Sequence, residues 1–459
     1  MVKKGSKVYR AMGGEKDMVE GEAFTFVDLF AGMGGFHHAL SSLGGECVWA
    51  CDIDPDSKTV HETVWPDMVA SGKFSTNIRL VTQNPDGSDR SAEDVARLVP
   101  DHDVLCGGFP CQPFSLAGKQ LGVMDKTRGT LFHDILAIVR AKKPRYVMLE
   151  NVKNLVSKNH TDTWRTIVES LRAEGYSVPD RPVVLSPHML APQAGGRPQN
   201  RERVFILAQR CDSGDEKHTP QIRIPAKADY PQWKIEDYLL DDTSIANIDD
   251  YRLSGRETIW LETWNELLQT LPDDDLPGTF WVEALTDVLP EGYEQMSGWR
   301  KHIFRTNRDV YVRNQKIVDK WLTAQRGAGV GGCTVKDFPP SRQKLEWQAR
   351  SAQPKAADRD LWKLVIQFRQ SGVRVKPATH LPALVAIVQT SVIGSRRRRI
   401  TPVEAGRMQG FPDTVFPTSG LADSDAYRLA GNAVNVGVVT FLAEQLVGKA
   451  PLPSSDVGG

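Results

Sequence analysis

The residues with the plainest chemistry are one cysteine, two carboxylates and two arginines, each placed where an apolar run ends. In Asp103-Val104-Leu105-Cys106-Gly107-Gly108-Phe109-Pro110-Cys111-Gln112-Pro113-Phe114-Ser115, a short apolar segment stops at two glycines. The chain then turns through Pro110 and presents Cys111 among polar neighbours. Pro110 and Pro113 each fix φ and remove a backbone donor, so neither suits a helix interior. The pattern predicts a loop at the carboxyl end of a parallel strand, where open α/β sheets place their ligands. A thiol held there becomes a nucleophile once it loses its proton. Taken alone, such a cysteine is more often a buried, inert thiol.

The same design recurs in Tyr146-Val147-Met148-Leu149-Glu150-Asn151-Val152, an apolar strand that ends in a carboxylate. Glu150 could do acid–base work there, or simply place negative charge at a helix N-terminus. Arg201 and Arg203 lead into the apolar run Val204-Phe205-Ile206. By themselves they are also ordinary edge-strand charge. Phe24 to Phe30 is a β-rich run that meets the turn Ala31-Gly32-Met33-Gly34-Gly35, and a helix-compatible segment follows. A second strand, Glu46 to Cys51, ends at Asp52, about 20 residues beyond the glycines. Glycine turn plus acidic strand end is the pattern of a nucleoside site, because the carboxylate can accept both ribose hydroxyls. There is no Gly-x4-Gly-Lys-Ser/Thr loop, which argues against a nucleoside triphosphate.

The elements that must position these groups alternate. Strand signals at Phe74 to Leu80, Val104-Leu105, Tyr146 to Leu149 and Val204 to Ala208 are separated by helical stretches such as Leu131 to Arg140 and Trp164 to Ala173. That rhythm predicts an α/β fold, a doubly wound and mostly parallel sheet with helices on both faces. After Arg210 the rhythm is lost, and polar, Trp-containing sequence runs to about Thr390. We expect residues 23–211 and 392–450 to form one unit, with residues 212–391 inserted as a second, irregular one. Residues 1–22 and 451–459 read as loose tails. Near the end, Thr401, Pro402 and Glu404 have the spacing of a helix cap with a capping box. A last apolar helix is expected from about Arg428 to Leu446.

With 459 residues the chain can bury a sizeable core. No apolar run is long enough to span a bilayer. The six cysteines include no CxxC pair, so neither a disulfide framework nor a zinc site is signalled and no metal is expected. A reducing cytoplasm is the expected home. Formal net charge is zero, but the charge is unevenly spread. Residues 296–400 hold 22 Lys and Arg against 6 Asp and Glu, whereas residues 212–295 hold 6 against 20. This asymmetry suggests a polyanion bound on one face, with Trp321, Trp347 and Trp362 interleaved among the basic residues. The alternative is that the two segments pair with each other.

Taken together, these motifs resemble the cytosine-C5 DNA methyltransferase family. Phe26-Val27-Asp28-Leu29-Phe30-Ala31-Gly32-Met33-Gly34-Gly35 is similar to its cofactor loop, and Gly107 to Ser115 to its nucleophile loop. Glu150-Asn151-Val152, Pro198-Gln199-Asn200-Arg201-Glu202-Arg203, Arg399 to Pro412 and Gly431-Asn432-Ala433-Val434 resemble further family motifs, in family order. The resemblance implies a Rossmann-like methyltransferase fold, with the inserted segment as the variable target-recognition domain. It implies that Cys111 adds to C6 of cytosine, that Glu150 contacts N3 and the exocyclic amine, and that Arg203 holds O2. Arg201 would brace Glu150 or the backbone. S-adenosylmethionine, leaving as S-adenosylhomocysteine, would be held by Phe30, Gly32, Gly34, Gly35, Asp52, Ile53, Asn77, Pro110, Leu131, Asn432 and Val434. Gln112, Ser115 and Gln199 would meet DNA at the cleft, and Arg305, Arg308, Arg342 and Lys344 its phosphates.

Three positions depart from the family pattern: Asn77 stands where Asp is usual, Asp52 where Glu is commoner and Asn435 where Pro is commoner. The neutral amide of Asn77 should weaken one adenine contact by about 1 kcal/mol. The resemblance further implies a monomer acting on double-stranded DNA in a prokaryotic nucleoid, with a cognate restriction nuclease or defence proteins as partners. A tRNA cytosine methyltransferase uses the same site chemistry. A non-catalytic DNA-binding regulator would not need Cys111, Glu150 and Arg203 together.

Overall fold

The computed structural model describes residues 23–110, 130–212, 219–274, 276–327, 332–384 and 391–448. Cys111, Gln112, Ser115 and the two tails lie outside the described residues.

Five strands run parallel: β1 (Phe24–Leu29), β2 (Gly45–Cys51), β3 (Phe74–Ser75), β4 (Val104–Gly108) and β5 (Tyr146–Val152). Their order is β3-β2-β1-β4-β5, so the winding reverses between β1 and β4. Beyond them come β6 (Tyr176–Ser177), β7 (Val183–Leu185), the short β8 (Gln199–Asn200) and β9 (Arg203–Arg210). β9 pairs antiparallel with β5, and β6 and β7 pair antiparallel with β9. Because side chains alternate along a strand, each strand feeds two cores. Phe24, Phe26, Cys106 and Met148 pack with Leu40, Val438 and Leu442 on one face. Val27, Leu29, Leu105 and Val147 pack with Ile135, Ile138 and Ile167 on the other. The sheet is therefore doubly wound, as the alternation of elements predicts.

Two local expectations differ from the structure. The strand expected over Phe74 to Leu80 stops at Ser75. The Asn77 side-chain oxygen accepts the Arg79 N–H at 3.0 Å and turns the chain into the helical segment Arg79–Thr82. The single helix expected near the C-terminus is two, Asp423–Asn432 and Val436–Val447. Asn435 separates them, its Oδ1 accepting the Val438 N–H at 3.0 Å as the cap of the second helix. The Thr401 cap and its Glu404 partner form as expected, with Pro402 first in the helix Pro402–Met408.

The segment after Arg210 carries a second sheet. Its strands are β10 (Thr279–Trp281), β11 (Lys344–Trp347), β12 (Leu364–Arg369), β13 (Gly372–Pro377), β15 (Val392–Ile393) and β16 (Arg398–Arg399), in the order β10-β11-β13-β12-β15-β16. Between β13 and β15, β14 (Leu381–Pro382) leaves this sheet and pairs in parallel with β8. Trp264, Trp321 and Trp347 are buried in the core of this unit. Two of the tryptophans that suggested a nucleic-acid surface are thus packing residues.

Part of the uneven charge is satisfied by pairing between the two segments. Arg396 pairs with Glu236 at 3.0 Å, Arg398 with Asp242 at 2.9 Å and Arg326 with Glu266 at 2.8 Å, and Arg399 pairs with Glu257. Basic and acidic segments meet each other, so the asymmetry by itself does not mark a polyanion site. Among the described residues, no helix is long and apolar enough to cross a membrane.

Candidate active site

The carboxyl ends of the parallel strands open into a cleft of about 470 Å³. It lies at the reversal of strand order, where the turns after β1 and β4 diverge. One wall is built by the turn after β1. Phe30 has φ 56°, a left-handed conformation that a bulky side chain adopts only when its surroundings impose it. The surroundings here are hydrogen bonds. The Ala31 N–H donates to the Cys51 carbonyl at 3.1 Å, and the Gly32 N–H to Asp52 Oδ2 at 2.7 Å. Asp52 Oδ1 accepts the Asp54 N–H at 2.8 Å. Burial raises the pKa of Asp52, while the amides of Asp54 and Gly32 act the other way. Beside it, Ile53 lies bare to solvent with 75% of its surface exposed, an apolar face with no partner of its own.

The second group comes from β5 and β9. Their antiparallel register sets Val152 opposite Arg203, and Arg203 Nε reaches Glu150 Oε1 at 3.0 Å. Burial pushes the pKa of Glu150 up, against the opposing charges of Arg203 and Arg201. Arg201 is almost wholly buried. It donates to the carbonyls of Leu384 at 2.9 Å, Gly431 at 2.9 Å and Ala433 at 2.8 Å. Burial first, and Arg203 beside it, lower its pKa to about 9, which leaves it charged at neutral pH. These bonds tie it to the backbone at Leu384 and at Gly431 and Ala433.

The third group holds the end of β4. Asn151 Nδ2 donates to the Phe109 carbonyl at 2.9 Å, fixing the chain immediately before Pro110. Sequence reasoning left Asn151 without a role. The available signal was a polar residue inside an apolar strand, which must find a partner when buried.

Phe30, Gly32, Asp52, Ile53, Asn77, Pro110, Leu131, Glu150, Arg201, Arg203, Asn432 and Val434 all line this one cleft. Gly34 and Gly35 do not. The Gly34 N–H already donates to the Ala31 carbonyl at 2.7 Å, and a Cβ on Gly34 would meet the Trp65 ring at 2.4 Å. A Cβ on Gly35 would meet Val434 at 2.5 Å. Their lack of a side chain therefore makes room for the protein's own packing. Gln199, expected at DNA, is completely buried, on strand β8 that pairs with β14. Arg308 donates to the Asp287 carbonyl at 2.8 Å, Arg342 stacks 4.8 Å from the Phe368 ring centre, and Lys344 sits 4.2 Å from that of Trp281. Of the four basic residues expected at phosphate, only Arg305 stands exposed.

The walls fit a nucleoside attached to a charged tail. Asp52 can accept from a ribose, and Phe30 and Ile53 offer apolar faces to a base. Replacing Asp52 by Ala removes the acceptor that orders Gly32 together with the ribose contact. Cofactor affinity measured by calorimetry should fall by roughly 10- to 100-fold, as expected for losing a charge-assisted hydrogen bond.

A doubly wound parallel sheet with a cleft at the carboxyl ends of its strands, lined by an acid paired to an arginine, is a Rossmann-like architecture. The C-5 cytosine-specific DNA methylase profile matches residues 24–448, and the chain belongs to that family. It is similar to the Type II methyltransferase M.AluI of Cellulosimicrobium cellulans, with 34% identity over 92% of this chain and 92% of that one. It is also similar to M.HhaI of Haemophilus parahaemolyticus, with 34% identity over 91% and 92%. Among solved structures, the S. pombe Dnmt2 methyltransferase aligns with 93% of this chain and 98% of its own at 17% identity, with a TM-score of 0.45. The chain is thus an enzyme, a DNA cytosine-5 methyltransferase, of a family whose methyl donor is S-adenosylmethionine.

Proposed function

We propose that this enzyme methylates C5 of a cytosine flipped out of a specific double-stranded DNA sequence, by way of a bond between Cys111 and C6. The observation that carries the reading is the Glu150–Arg203 pair, 3.0 Å apart, in the cleft that Pro110 and Asp52 also line. Cys111 is the next residue in the sequence after Pro110, which lines this cleft.

Cytosine C5 is too electron-poor to take a methyl group unaided. Addition of the Cys111 thiolate at C6, with Glu150 delivering a proton to N3, converts the ring to an enamine that is nucleophilic at C5. Arg203 holds Glu150 in place and can stabilise charge that develops at O2. When bound, S-adenosylmethionine supplies an electrophilic methyl group on a positively charged sulfur. Asp52 would hold its ribose, and Phe30 and Ile53 its adenine. Loss of the C5 proton to a base and expulsion of the thiolate then restore the aromatic ring. C5 and C6 are out of reach inside a duplex, which is why the base must leave the stack.

The inserted unit, roughly residues 212–391, which supplies four of the six strands of the second sheet, would read the sequence, with Arg305 among its phosphate contacts. We place the enzyme, acting as a monomer, in a restriction–modification or phage-defence system, because two relatives that match over most of their length are named Type II methyltransferases. The test is transfer of tritiated methyl from S-adenosylmethionine to duplex DNA and to tRNA in parallel. The reading requires label in DNA as 5-methylcytosine. Label confined to RNA refutes it.

A further inference from the structure

We propose that Arg428 is a positioning residue: it clasps the two walls of the cofactor cleft together and sets the affinity for S-adenosylmethionine without touching it. The proposal rests on the cofactor reading above. Arg428 lies on the helix Asp423–Asn432, directly before Leu429, Gly431 and Asn432, which form one wall of the cleft. Its guanidinium pairs with Asp54 and Asp56, and its Nε lies 3.8 Å from Asp425 on its own helix. Asp54 lines the opposite wall, two residues beyond Asp52, and caps the helix Pro55–Val64. One side chain therefore joins two segments that both contribute residues to the cleft and lie 374 residues apart in sequence.

The electrostatics agree with this geometry. Burial alone would raise the pKa of Asp54, but the hydrogen bond and charge of Arg428, together with the amides of Asp56 and Ser57, hold that pKa below the ordinary value. Beneath the clasp, Met33 and Val60 share an apolar cluster with Ala426, Leu429 and Ala430, so the two walls stay packed at their base if the ion pairs are lost. What loosens is the rim. Apparent affinity falls in proportion to the fraction of molecules whose walls are correctly spaced. The ion pairs are roughly a quarter to a third exposed, so added salt should weaken the clasp as well.

The experiment is calorimetric titration with S-adenosylhomocysteine, whose net charge is zero at neutral pH, so its own attraction to the protein is little affected by salt. Wild type, Arg428→Ala and Arg428→Lys are compared at low and high ionic strength. We expect Arg428→Ala to bind about tenfold more weakly. Arg428→Lys should recover part of that loss, and the salt dependence of wild type should vanish in Arg428→Ala. In methyl-transfer assays, KM for S-adenosylmethionine should rise more than kcat falls. If wild type fails to bind the probe, the cofactor reading itself is wrong. If wild type binds and Arg428→Ala binds equally well, the clasp is wrong. Equal losses in both variants, with the salt dependence retained, would likewise overturn the clasp and leave Arg428 a general packing role.

Discussion

Replacing Cys111 with Ala should lower methyl transfer on the order of 100,000-fold, the scale on which removing a covalent nucleophile acts. Without addition at C6 the C5 carbon stays too electron-poor to take the methyl group. The protein should still bind S-adenosylhomocysteine, since the substitution leaves Asp52, Ile53 and Asn432 of the cleft in place. A duplex containing 5-fluorocytosine should become covalently attached to wild type, because fluorine at C5 blocks the final elimination. It should slide off the Cys111→Ala variant in a denaturing gel. A covalent adduct with that variant would show that another residue is the nucleophile.

Replacing Glu150 with Gln should lower kcat by about 100- to 10,000-fold, the range of a positioned proton donor. Glutamine keeps the shape and can still donate a hydrogen bond, but it cannot deliver a proton to N3 as the thiolate adds. Because burial raises its pKa, Glu150 keeps its proton to higher pH than a free glutamate. The proton-dependent step should therefore weaken as pH rises through the folded value, and Glu150→Gln should lose that limb of the pH profile. Stability follows the same sign. A folded pKa raised above the unfolded value of about 4.3 gives a contribution present below that pH and lost as pH rises through the folded pKa. Thermal melts of wild type and Glu150→Gln across that window should diverge accordingly, wild type falling relative to the variant as pH increases.

The parts of the site readable from sequence are those in which one short stretch carries the whole signal. β1, its glycine turn and Asp52 at the end of β2 form such a stretch, as do β5 with Glu150 and the capped helix from Pro402. Each depends on hydrophobic periodicity and turn chemistry within a few residues. The features that escaped depend on residues meeting across the fold. Gly34 and Gly35 look alike as parts of a ligand turn, yet one makes room for Trp65 and the other for Val434. Gln199 reads as a polar motif residue, and only the fold reveals that it is buried. Arg428 looks like one more surface arginine until Asp54 and Asp56 are seen beside it.

Charge pointed to a kind of partner but not to its surface. A strongly basic segment next to a strongly acidic one suggests a bound polyanion, in keeping with a DNA methylase family, yet Arg396, Arg398 and Arg399 reach Glu236, Asp242 and Glu257 of the acidic segment. Composition reports which charges exist, and only the fold reports which of them face each other. The short strands of the second sheet were hidden for a related reason. Strands of two to six residues, separated by long connections, leave too little periodicity to be recognised.

Bisulfite sequencing of DNA from cells expressing this chain tests the central claim most directly. The account predicts cytosines protected from conversion at one short, recurring sequence and absent from control cells, with protection lost in cells expressing Cys111→Ala. Cytosines converted as completely as in control cells, from an expressed protein that still binds S-adenosylhomocysteine, would contradict it.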